Sequence, residues 1–201
     1  WPLERHFGRM SSGGAVVSAL PITRHDVTLW AKPAQNPFWY NLFYPFRYVQ
    51  VLELDWNGTR LKVLNAHLEA FAGPNRIEQA KAYAAMSAKE MQPLLVMGGD
   101  MNSVPPEANL RSNYPDEPET SHEDAPTVEL LRAVDGLNDT VPPDLMRARP
   151  DDFHTFPADK PYRKLDYVFV GDGFEVVSVE VIRKAGDISD HLPVVAKIRR
   201  K

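Results

Sequence analysis

Residues 48–67, YVQVLELDWNGTRLKVLNAH, carry the clearest structural signal in the chain. Two runs of residues that favour β-structure, Tyr48–Trp56 and Thr59–His67, are joined there by Asn57-Gly58. Asn-Gly is the pair that a two-residue type I′ turn prefers, because both central residues of that turn take positive φ. The segment therefore predicts an antiparallel β-hairpin whose second strand ends at a histidine.

Short strands are expected on both sides of this hairpin. Before it, apolar runs predict strands at residues 15–20 and 26–31, and the aromatic-rich residues 36–48, which contain two prolines, predict a loop. After it, further apolar runs predict four strands, at residues 94–97, 165–170, 175–181 and 192–198. The chain is thus dominated by short strands.

Two helices are predicted among these strands. Asn75 followed by Glu78 resembles a capping box, and apolar residues recur at helical spacing until Pro93, which predicts a helix over residues 76–92. Thr127 is expected to cap a short helix that ends at Ala133. Residues 104–126 and 144–164 predict long loops. Many strands with few helices predict an α+β fold, in which two packed sheets carry helices on the outside.

The composition describes an ordinary globular protein. The 201 residues, of which 43% are hydrophobic and 25% charged, fit a single domain. With 23 basic and 27 acidic residues the net charge is −4, so the chain has no basic excess that would hold nucleic acid by charge alone. The absence of cysteine excludes disulfides, thiolate zinc sites and a cysteine nucleophile. It leaves the compartment open, and cytoplasmic and exported locations are both compatible with the sequence.

Four polar clusters lie at the ends of predicted strands. They are Asn65-Ala66-His67, Gly98-Gly99-Asp100-Met101-Asn102, Leu165-Asp166-Tyr167 and Ser189-Asp190-His191. Loops at strand ends converge on a rigid scaffold, which is where functional side chains concentrate. We therefore expect the four clusters to form a single site.

The residue types in these clusters fit metal-assisted proton-transfer chemistry. Asp100 and Asn102 are two residues apart and present oxygen ligands on one side of an extended segment, as magnesium prefers. Asp190 adds a carboxylate beside His191, whose imidazole titrates near neutral pH. Asp166 is suited to fix the tautomer of that imidazole, which leaves His67 to contact a phosphoryl oxygen.

Each cluster taken alone also fits a structural role. His67 is compatible with a buried strand-edge histidine, and Gly98 to Asn102 with a plain turn, since Gly, Asp and Asn are turn formers. Asp166 alone is compatible with a surface salt bridge, and Ser189-Asp190-His191 with an ordinary loop. The joint occurrence of all four, each beside a strand, favours the functional interpretation.

The clusters together resemble a known family. Asn65-Ala66-His67-Leu68, Gly99-Asp100-Met101-Asn102, Thr155-Phe156 with Leu165-Asp166-Tyr167-Val168-Phe169, and Ser189-Asp190-His191-Leu192-Pro193-Val194 resemble the successive C-terminal motifs of the endonuclease/exonuclease/phosphatase superfamily. This superfamily contains DNase I-like nucleases, abasic-site endonucleases, inositol polyphosphate phosphatases and sphingomyelinases. Arg76 and Gln79 resemble a further pattern of its bacterial members. The likeness runs from Gly13 to Lys197.

The resemblance implies a DNase I-like, four-layered α/β sandwich of two packed, mostly antiparallel sheets with flanking helices. It also implies magnesium-dependent hydrolysis of a phosphate ester, with manganese or calcium as substitutes. In this family pattern His191 acts at the scissile phosphate, paired with Asp166, while Asp190 belongs to the metal shell. Asp100 and Asn102 position the attacking water or a metal, and His67 contacts the phosphate.

Two basic residues next to these motifs are candidates for phosphate binding. Arg163 and Lys164 stand just before Asp166 and are suited to neutralise phosphate charge. A solvated basic pair without a ligand is the alternative interpretation of the same two residues.

The resemblance is incomplete at the N-terminus. Family members begin with a strand that ends in Asn and a second strand that ends in Gln-Glu, whose Glu is the main metal ligand, and neither motif precedes Gly13. We therefore expect residues 1–201 to be a single domain that lacks its first two strands, to derive from a longer protein, and to bind magnesium weakly. A catalytically degenerate binding module is the alternative to an enzyme.

The substrate class stays open at this stage. Nucleic acid, a lipid headgroup and a small molecule are all phosphate-ester candidates, and no obligate protein partner is indicated. Aromatic residues Phe38, Trp39, Tyr40 and Phe43 fit contact with a membrane interface, as in a sphingomyelinase-like lipid phosphodiesterase. The same residues also fit an aromatic cluster that anchors a long loop.

Overall fold

The computed structural model describes residues 13–123, 126–185 and 188–201. Its strands are β1 (Ile22–Leu29), β2 (Tyr48–Trp56), β3 (Thr59–His67), β4 (Leu95–Asp100), β5 (Leu137–Asp139), β6 (Asp166–Gly171), β7 (Phe174–Val181) and β8 (Val194–Arg200). Its α-helices are α1 (Phe38–Phe43), α2 (Gly73–Glu90), α3 (Thr127–Arg132) and α4 (Pro143–Ala148). Two 3₁₀ turns cover Pro150–Phe153 and Arg183–Ala185.

The predicted hairpin is confirmed residue by residue. β2 and β3 pair antiparallel from Tyr48 opposite His67 to Trp56 opposite Thr59. The connecting residues Asn57 and Gly58 have φ of 53° and 80°, as a type I′ turn requires. The amide of Gly58 also donates to the Asp55 carboxylate over 2.6 Å, which closes the turn.

The hairpin lies within a six-stranded sheet of order β1-β2-β3-β4-β6-β5, and β7 and β8 form a second, two-stranded sheet. Within the six-stranded sheet β3 and β4 are parallel, and the other pairs are antiparallel. The parallel pair requires a crossover, which α2 supplies. This pairing places His67 opposite Asp100, and Asp100 opposite Asp166, on three adjacent strands.

Two apolar layers hold the sheets and helices together. On one face of the large sheet, Tyr83 of α2 and Leu131 of α3 are buried with Leu64, Met97 and Phe169. A second layer contains Leu54, Leu61, Leu94, Val170 and Phe174, against which Val176 and Ile198 of the small sheet pack. The expected α+β fold with two packed sheets and flanking helices is therefore confirmed.

The prediction of a strand at residues 15–20 is wrong. These residues follow an irregular path, and the side chain of Val17 is 96% exposed. The backbone at Gly14 passes so close to Tyr48 that a Cβ there would lie 1.9 Å from the tyrosine oxygen, and its carbonyl accepts a hydrogen bond from Gln50. This segment contacts side chains of β2 and forms no backbone ladder with a neighbouring strand of the described residues. An apolar run in the sequence does not distinguish these two arrangements.

Several element boundaries also differ from the prediction. α2 begins at Gly73 with a proline in its first turn, and Asn75 and Glu78 make no capping hydrogen bond. Thr127 begins α3 without capping it, because Pro126 occupies the N-cap position. The short elements α1 and α4 lie in segments predicted as loops, and β5 was not predicted. With three to six residues each, these elements carry too few periodic positions to be recognised.

Candidate active site

Four of the predicted residues form a hydrogen-bonded and ionic cluster. Nδ1 of His191 lies 2.8 Å from Oδ2 of Asp166. Oδ2 of Asp100 is 3.9 Å from Nε2 of His191 and 3.4 Å from Nε2 of His67. The two imidazoles therefore flank the Asp100 carboxylate, and Asp166 holds the far nitrogen of one of them.

The backbone around Asp100 explains the glycines and asparagine of its motif. Gly99 has φ of +131°, and a Cβ at that position would lie 1.9 Å from the carbonyl oxygen of Ala66. Asn102 has φ of 46°, which asparagine tolerates better than most residues. Its amide N–H donates to Asp100 and its side-chain nitrogen donates to the carbonyl of Leu68, at 2.8 and 2.9 Å. Asn102 thus orients the Asp100 carboxylate.

Thr155 and Phe156 fix the segment that carries His191. The amide of Leu192 donates to the carbonyl of Thr155 over 2.8 Å, and the Thr155 hydroxyl accepts from the amide of Leu165 over 3.1 Å. The Phe156 ring lies 4.8 Å from the imidazole of His191, measured between centroids. One short segment therefore positions both partners of the His191–Asp166 pair.

Burial and neighbouring charges separate the protonation behaviour of these groups. Burial, followed by the charge of Asp166, raises the pKa of Asp100 to about 7. Burial, followed by the charge of Arg47, lowers the pKa of His67 to about 4. Burial opposes the charged form of His191, but its hydrogen bond to Asp166 and the charges of Asp166 and Asp100 outweigh burial and raise its pKa.

The donor set fits a divalent cation. One ligand atom each from Asp100, Asp166 and His191 lies within 4.8 Å of the other two. Burial, and then the nearby carboxylate of Asp166, raise the pKa of Asp100, and a bound cation would stabilise the charged form of both carboxylates. Asp190 is exposed and lines the same cavity, as does Asn102, so the predicted oxygen ligands adjoin this triad.

Comparison with known proteins identifies the family. The model of the Endonuclease/Exonuclease/phosphatase family matches residues 1–191. The chain belongs to this family. No curated protein matches the chain.

Solved structures of the endonuclease/exonuclease/phosphatase type share the fold. A humanized D. rerio TDP2 with 14 mutations is 14% identical, with a TM-score of 0.59 over 90% of this chain and 68% of that chain. D. rerio TDP2 complexed with single strand DNA product is also 14% identical, with a TM-score of 0.58 over 90% of this chain and 68% of that chain. The mannosyl-6-phosphatase Bt3783 of Bacteroides thetaiotaomicron is 14% identical, with a TM-score of 0.58 over 90% of this chain and 67% of that chain. This chain spans about two thirds of these proteins, and at such identities the likeness shows the DNase I-like fold.

Arg47 belongs to this candidate site and was not predicted from the sequence, and the same holds for Glu117 and His122 of the cavity lining described below. Arg47 is buried, and its Nη1 lies 2.5 Å from Nε2 of His67. Because a guanidinium is always protonated, Arg47 donates and His67 carries its proton on Nδ1. Arg47 also donates to the hydroxyl of Tyr44, which bonds the buried carboxylate of Glu69. The hairpin register pairs Tyr48 with His67 and so places residue 47 at the same end of the hairpin, but it does not predict the contact of the Arg47 side chain with His67.

Arg76 and Gln79 shape the loop that follows His67. Nη1 of Arg76 donates to the carbonyl oxygens of Glu69 and Ala70, at 3.0 and 2.7 Å. The side-chain oxygen of Gln79 accepts from the amide of Glu69 over 2.7 Å. These two α2 residues thus support the His67 loop and do not reach Asp100 or His191.

The site opens into a cavity of about 220 Å³. Its lining comprises Arg47, His67, Ala70, Phe71, Asp100, Asn102, Glu117, His122, Phe156, Arg163, Leu165, Asp190 and His191. Every predicted catalytic or metal residue except Asp166 lines this cavity directly, and Asp166 reaches it through His191. A larger cavity of about 620 Å³, which is bounded by residues of β7 and α4, contains none of the predicted residues.

The two predicted phosphate-binding residues are separated by the fold. Arg163 lines the cavity, but its two Nη atoms donate to Glu117 over 2.9 Å and to Asp116 over 2.5 Å. Its guanidinium carbon also lies 4.6 Å from the ring centroids of both Tyr114 and Phe156. Lys164 is 1% exposed, and its Nζ donates to the carbonyl of Asp166 over 2.6 Å. Adjacent residues of an extended chain point to opposite sides, so Lys164 does not line the cavity.

Proposed function

We propose that the protein is a divalent-metal-dependent phosphoesterase that hydrolyses a phosphate ester by in-line attack of an activated water. The observation that supports this most strongly is the cluster in which Asp166 bonds His191 and the opposite nitrogen of His191 faces Asp100. Membership of the Endonuclease/Exonuclease/phosphatase family also supports phosphoesterase activity. The degenerate binding module is the competing proposal.

In this proposal Asp166 and His191 act as the acid/base pair. The hydrogen bond from Nδ1 to Asp166 fixes the ring and stabilises the imidazolium, so that Nε2 presents its proton to the cavity. Asp100 orients the attacking water, because its carboxylate is held by Asn102 and lies between two imidazoles. Arg47 supplies positive charge beside His67 at the same cavity.

The residues that would hold the metal are Asp190, Asp100 and Asn102, which line one cavity, while Asp166 and His191 beside them act as the acid/base pair. A bound divalent cation neutralises charge on phosphoryl oxygens and activates water. Carboxylate and amide oxygens favour magnesium, with manganese and calcium as substitutes. The family is generally divalent-metal dependent, which accords with this donor set.

Hydrolysis of a phosphate-ester panel by the full-length protein tests the proposal. Abasic DNA, linear DNA, sphingomyelin, phosphoinositides, nucleotides and sugar phosphates are incubated with magnesium, with chelator, and with magnesium restored. We expect turnover of at least one ester that chelator abolishes and magnesium restores. Binding of esters without turnover, at any metal concentration, would contradict the proposal and favour the degenerate module.

A lipid phosphodiester is a second candidate substrate, supported by exposed aromatic side chains. Phe38, Trp39 and Phe43 of α1 are 79%, 65% and 54% exposed, while the side chain of Tyr40 lies outside the described part of the structure. The similar proteins described above give no support for membrane contact, so this candidate rests on the exposed aromatic side chains of α1. No helix in the described residues has the length and apolar character to span a bilayer.

Vesicle binding tests this second candidate. Replacing Trp39 and Phe43 by Ser removes two exposed aromatic side chains from α1, so the double variant is expected to bind sphingomyelin-containing vesicles less tightly than the unaltered protein. Hydrolysis of a water-dispersed ester is expected to persist, since neither side chain lines the active-site cavity. Equal vesicle binding by the two proteins would remove the lipid candidate.

A further inference from the structure

One wall of the active-site cavity comes from the long loop between β4 and α3. We call Glu117 and His122 the loop wall, since both lie in this loop and both line the cavity. The prediction of a long loop for residues 104–126 is confirmed, because no helix or strand occurs in its described part. Some side chains of this loop are nevertheless buried, among them those of Tyr114 and His122. These two residues are therefore packed against the rest of the protein, and His122 forms part of the cavity lining.

The ring of His122 has a defined tautomer. Its Nδ1 lies 3.4 Å from Nη2 of Arg76, and a guanidinium can only donate. Nδ1 is therefore the acceptor, and the proton of the neutral ring is on Nε2. His122 is 2% exposed, and its Nε2 has no hydrogen-bond partner among the described residues. His122 lines the cavity, so this N–H is available to an oxygen of a bound ligand.

Glu117 supplies the complementary acceptor. One of its carboxylate oxygens accepts from Arg163 over 2.9 Å, and the other has no partner in the described part of the chain. The same guanidinium also pairs with Asp116 over 2.5 Å, so two carboxylates surround one positive charge. Arg163 is consequently paired with two carboxylates, so its guanidinium is not free to bind a second phosphate group at this wall.

The cavity is small and partly open to solvent. Its volume of about 220 Å³ is below the usual range for ligand pockets, roughly 300–1,000 Å³. The rings of Phe71 and Phe156 provide apolar lining beside the polar loop wall. One small ring fits this space better than several nucleotides do.

We propose that the loop wall binds hydroxyl groups of the substrate's alcohol, so that the preferred substrate is a small, hydroxylated phosphate monoester. The Nε2–H of His122 donates to one substrate oxygen, and the free oxygen of Glu117 accepts from a neighbouring hydroxyl. This inference rests on the proposed phosphoesterase function and adds the substrate class. His122 and Glu117 are specificity residues in it and take no part in the proton transfers.

Two matched esters test the proposal without any mutation. Glucose 6-phosphate and cyclohexylmethyl phosphate share a six-membered ring and a phosphomonoester, but the second has no hydroxyl groups. We expect kcat/KM to be about tenfold or more higher for glucose 6-phosphate, as one or two hydrogen bonds to otherwise unpaired groups give. Equal values for the two esters would overturn the proposal and leave the phosphoesterase function standing.

Variants locate the effect at His122. His122→Phe keeps a planar ring without nitrogen, and we expect it to lower the ratio of the two kcat/KM values about tenfold, mainly through KM for the sugar phosphate. His122→Gln restores a donor near the Nε2 position and is expected to recover part of the ratio. His154→Phe is the control, because His154 is buried outside the cavity and its replacement should not change the ratio. An unchanged ratio in a folded His122→Phe protein would refute the assignment.

A binding measurement separates this proposal from the proposed function. Nitrogen-15 spectra of the full-length protein should show His122 protonated on Nε2, with that proton shifting on addition of glucose 6-phosphate and not of cyclohexylmethyl phosphate. Such a shift in a protein that hydrolyses no ester would support the hydroxyl subsite while the phosphoesterase function fails. Identical responses to both esters would refute the subsite.

Discussion

Asp100 and Asp166 face each other directly across the antiparallel pair of β4 and β6. On the other side of β4, His67 occupies the matching position of the parallel strand β3. Asp166, Asp100 and His67 thus form a row across three neighbouring strands, and sheet register sets the positions of these three residues. A shift of one residue in any strand would turn its site residue to the opposite face of the sheet.

Asp166→Asn tests the pairing with His191. The amide cannot stabilise an imidazolium as a carboxylate does, so we expect the pKa of His191 to fall and turnover to drop by about 10²- to 10⁴-fold. Histidine proton spectra and steady-state hydrolysis measure the two effects. Asp159→Asn, an exposed position outside the cavity, serves as the control. Unaltered turnover in the Asp166→Asn protein would show that the pair is structural.

Arg47→Met tests the assignment of the His67 tautomer. The charge of Arg47 lowers the pKa of His67, so its removal is expected to raise that pKa from about 4 and to release the constraint on Nε2. Titration of His67 by nuclear magnetic resonance gives the value. Arg60→Met, on the same hairpin but exposed, should leave the His67 titration where it was. A His67 pKa that is the same in all three proteins would disprove the assigned contact.

Gly99→Ala tests the close approach of β3 and β4. The new methyl group would overlap the carbonyl oxygen of Ala66, and the positive φ of Gly99 is unfavourable for alanine. We expect the free energy of unfolding to fall by about 2 kcal/mol or more in denaturant titrations. Gly13→Ala is the matched control, because a Cβ there meets no atom within 4 Å. Similar stability of the two variants would be inconsistent with the register described.

The acid stability of the protein should depend on His122. Burial, and then the charge of Arg76, lower its pKa from 6.5 to about 3 in the folded state. The unfolded chain therefore binds this proton first as the pH falls. The free energy of unfolding is expected to decrease from about pH 6.5 towards pH 3, by about 1.4 kcal/mol per pH unit from this group.

Denaturant unfolding at a series of pH values measures this decrease. His122→Phe should lose less stability than the unaltered protein over the same pH interval, since the variant has no proton to bind there. The same substitution at His25, which is exposed on β1, provides a comparison. Parallel pH curves for His122→Phe and the unaltered protein would mean that His122 is not held neutral by its surroundings.

The sequence predicted those parts of the molecule that local patterns determine. The Asn57-Gly58 turn, its flanking strands and the polar residues at strand ends all depend on neighbours along the chain. The convergence of the polar residues was expected because each cluster lies at a strand end, and the family resemblance supported it. Arg47, Glu117 and His122 were not predicted, because contacts with residues distant in sequence bring them to the cavity. For Lys164 the sequence showed a basic residue beside a motif, but only the direction of its side chain shows that it is buried.

Single-turnover hydrolysis by His191→Ala in saturating magnesium tests the central claim most directly. If His191 transfers the proton in a metal-dependent phosphoesterase site, the folded variant will lose nearly all hydrolysis of the esters that the unaltered protein cleaves, while still binding them. Cleavage by His191→Ala at the unaltered rate would contradict the claim that these strands converge to form a catalytic site.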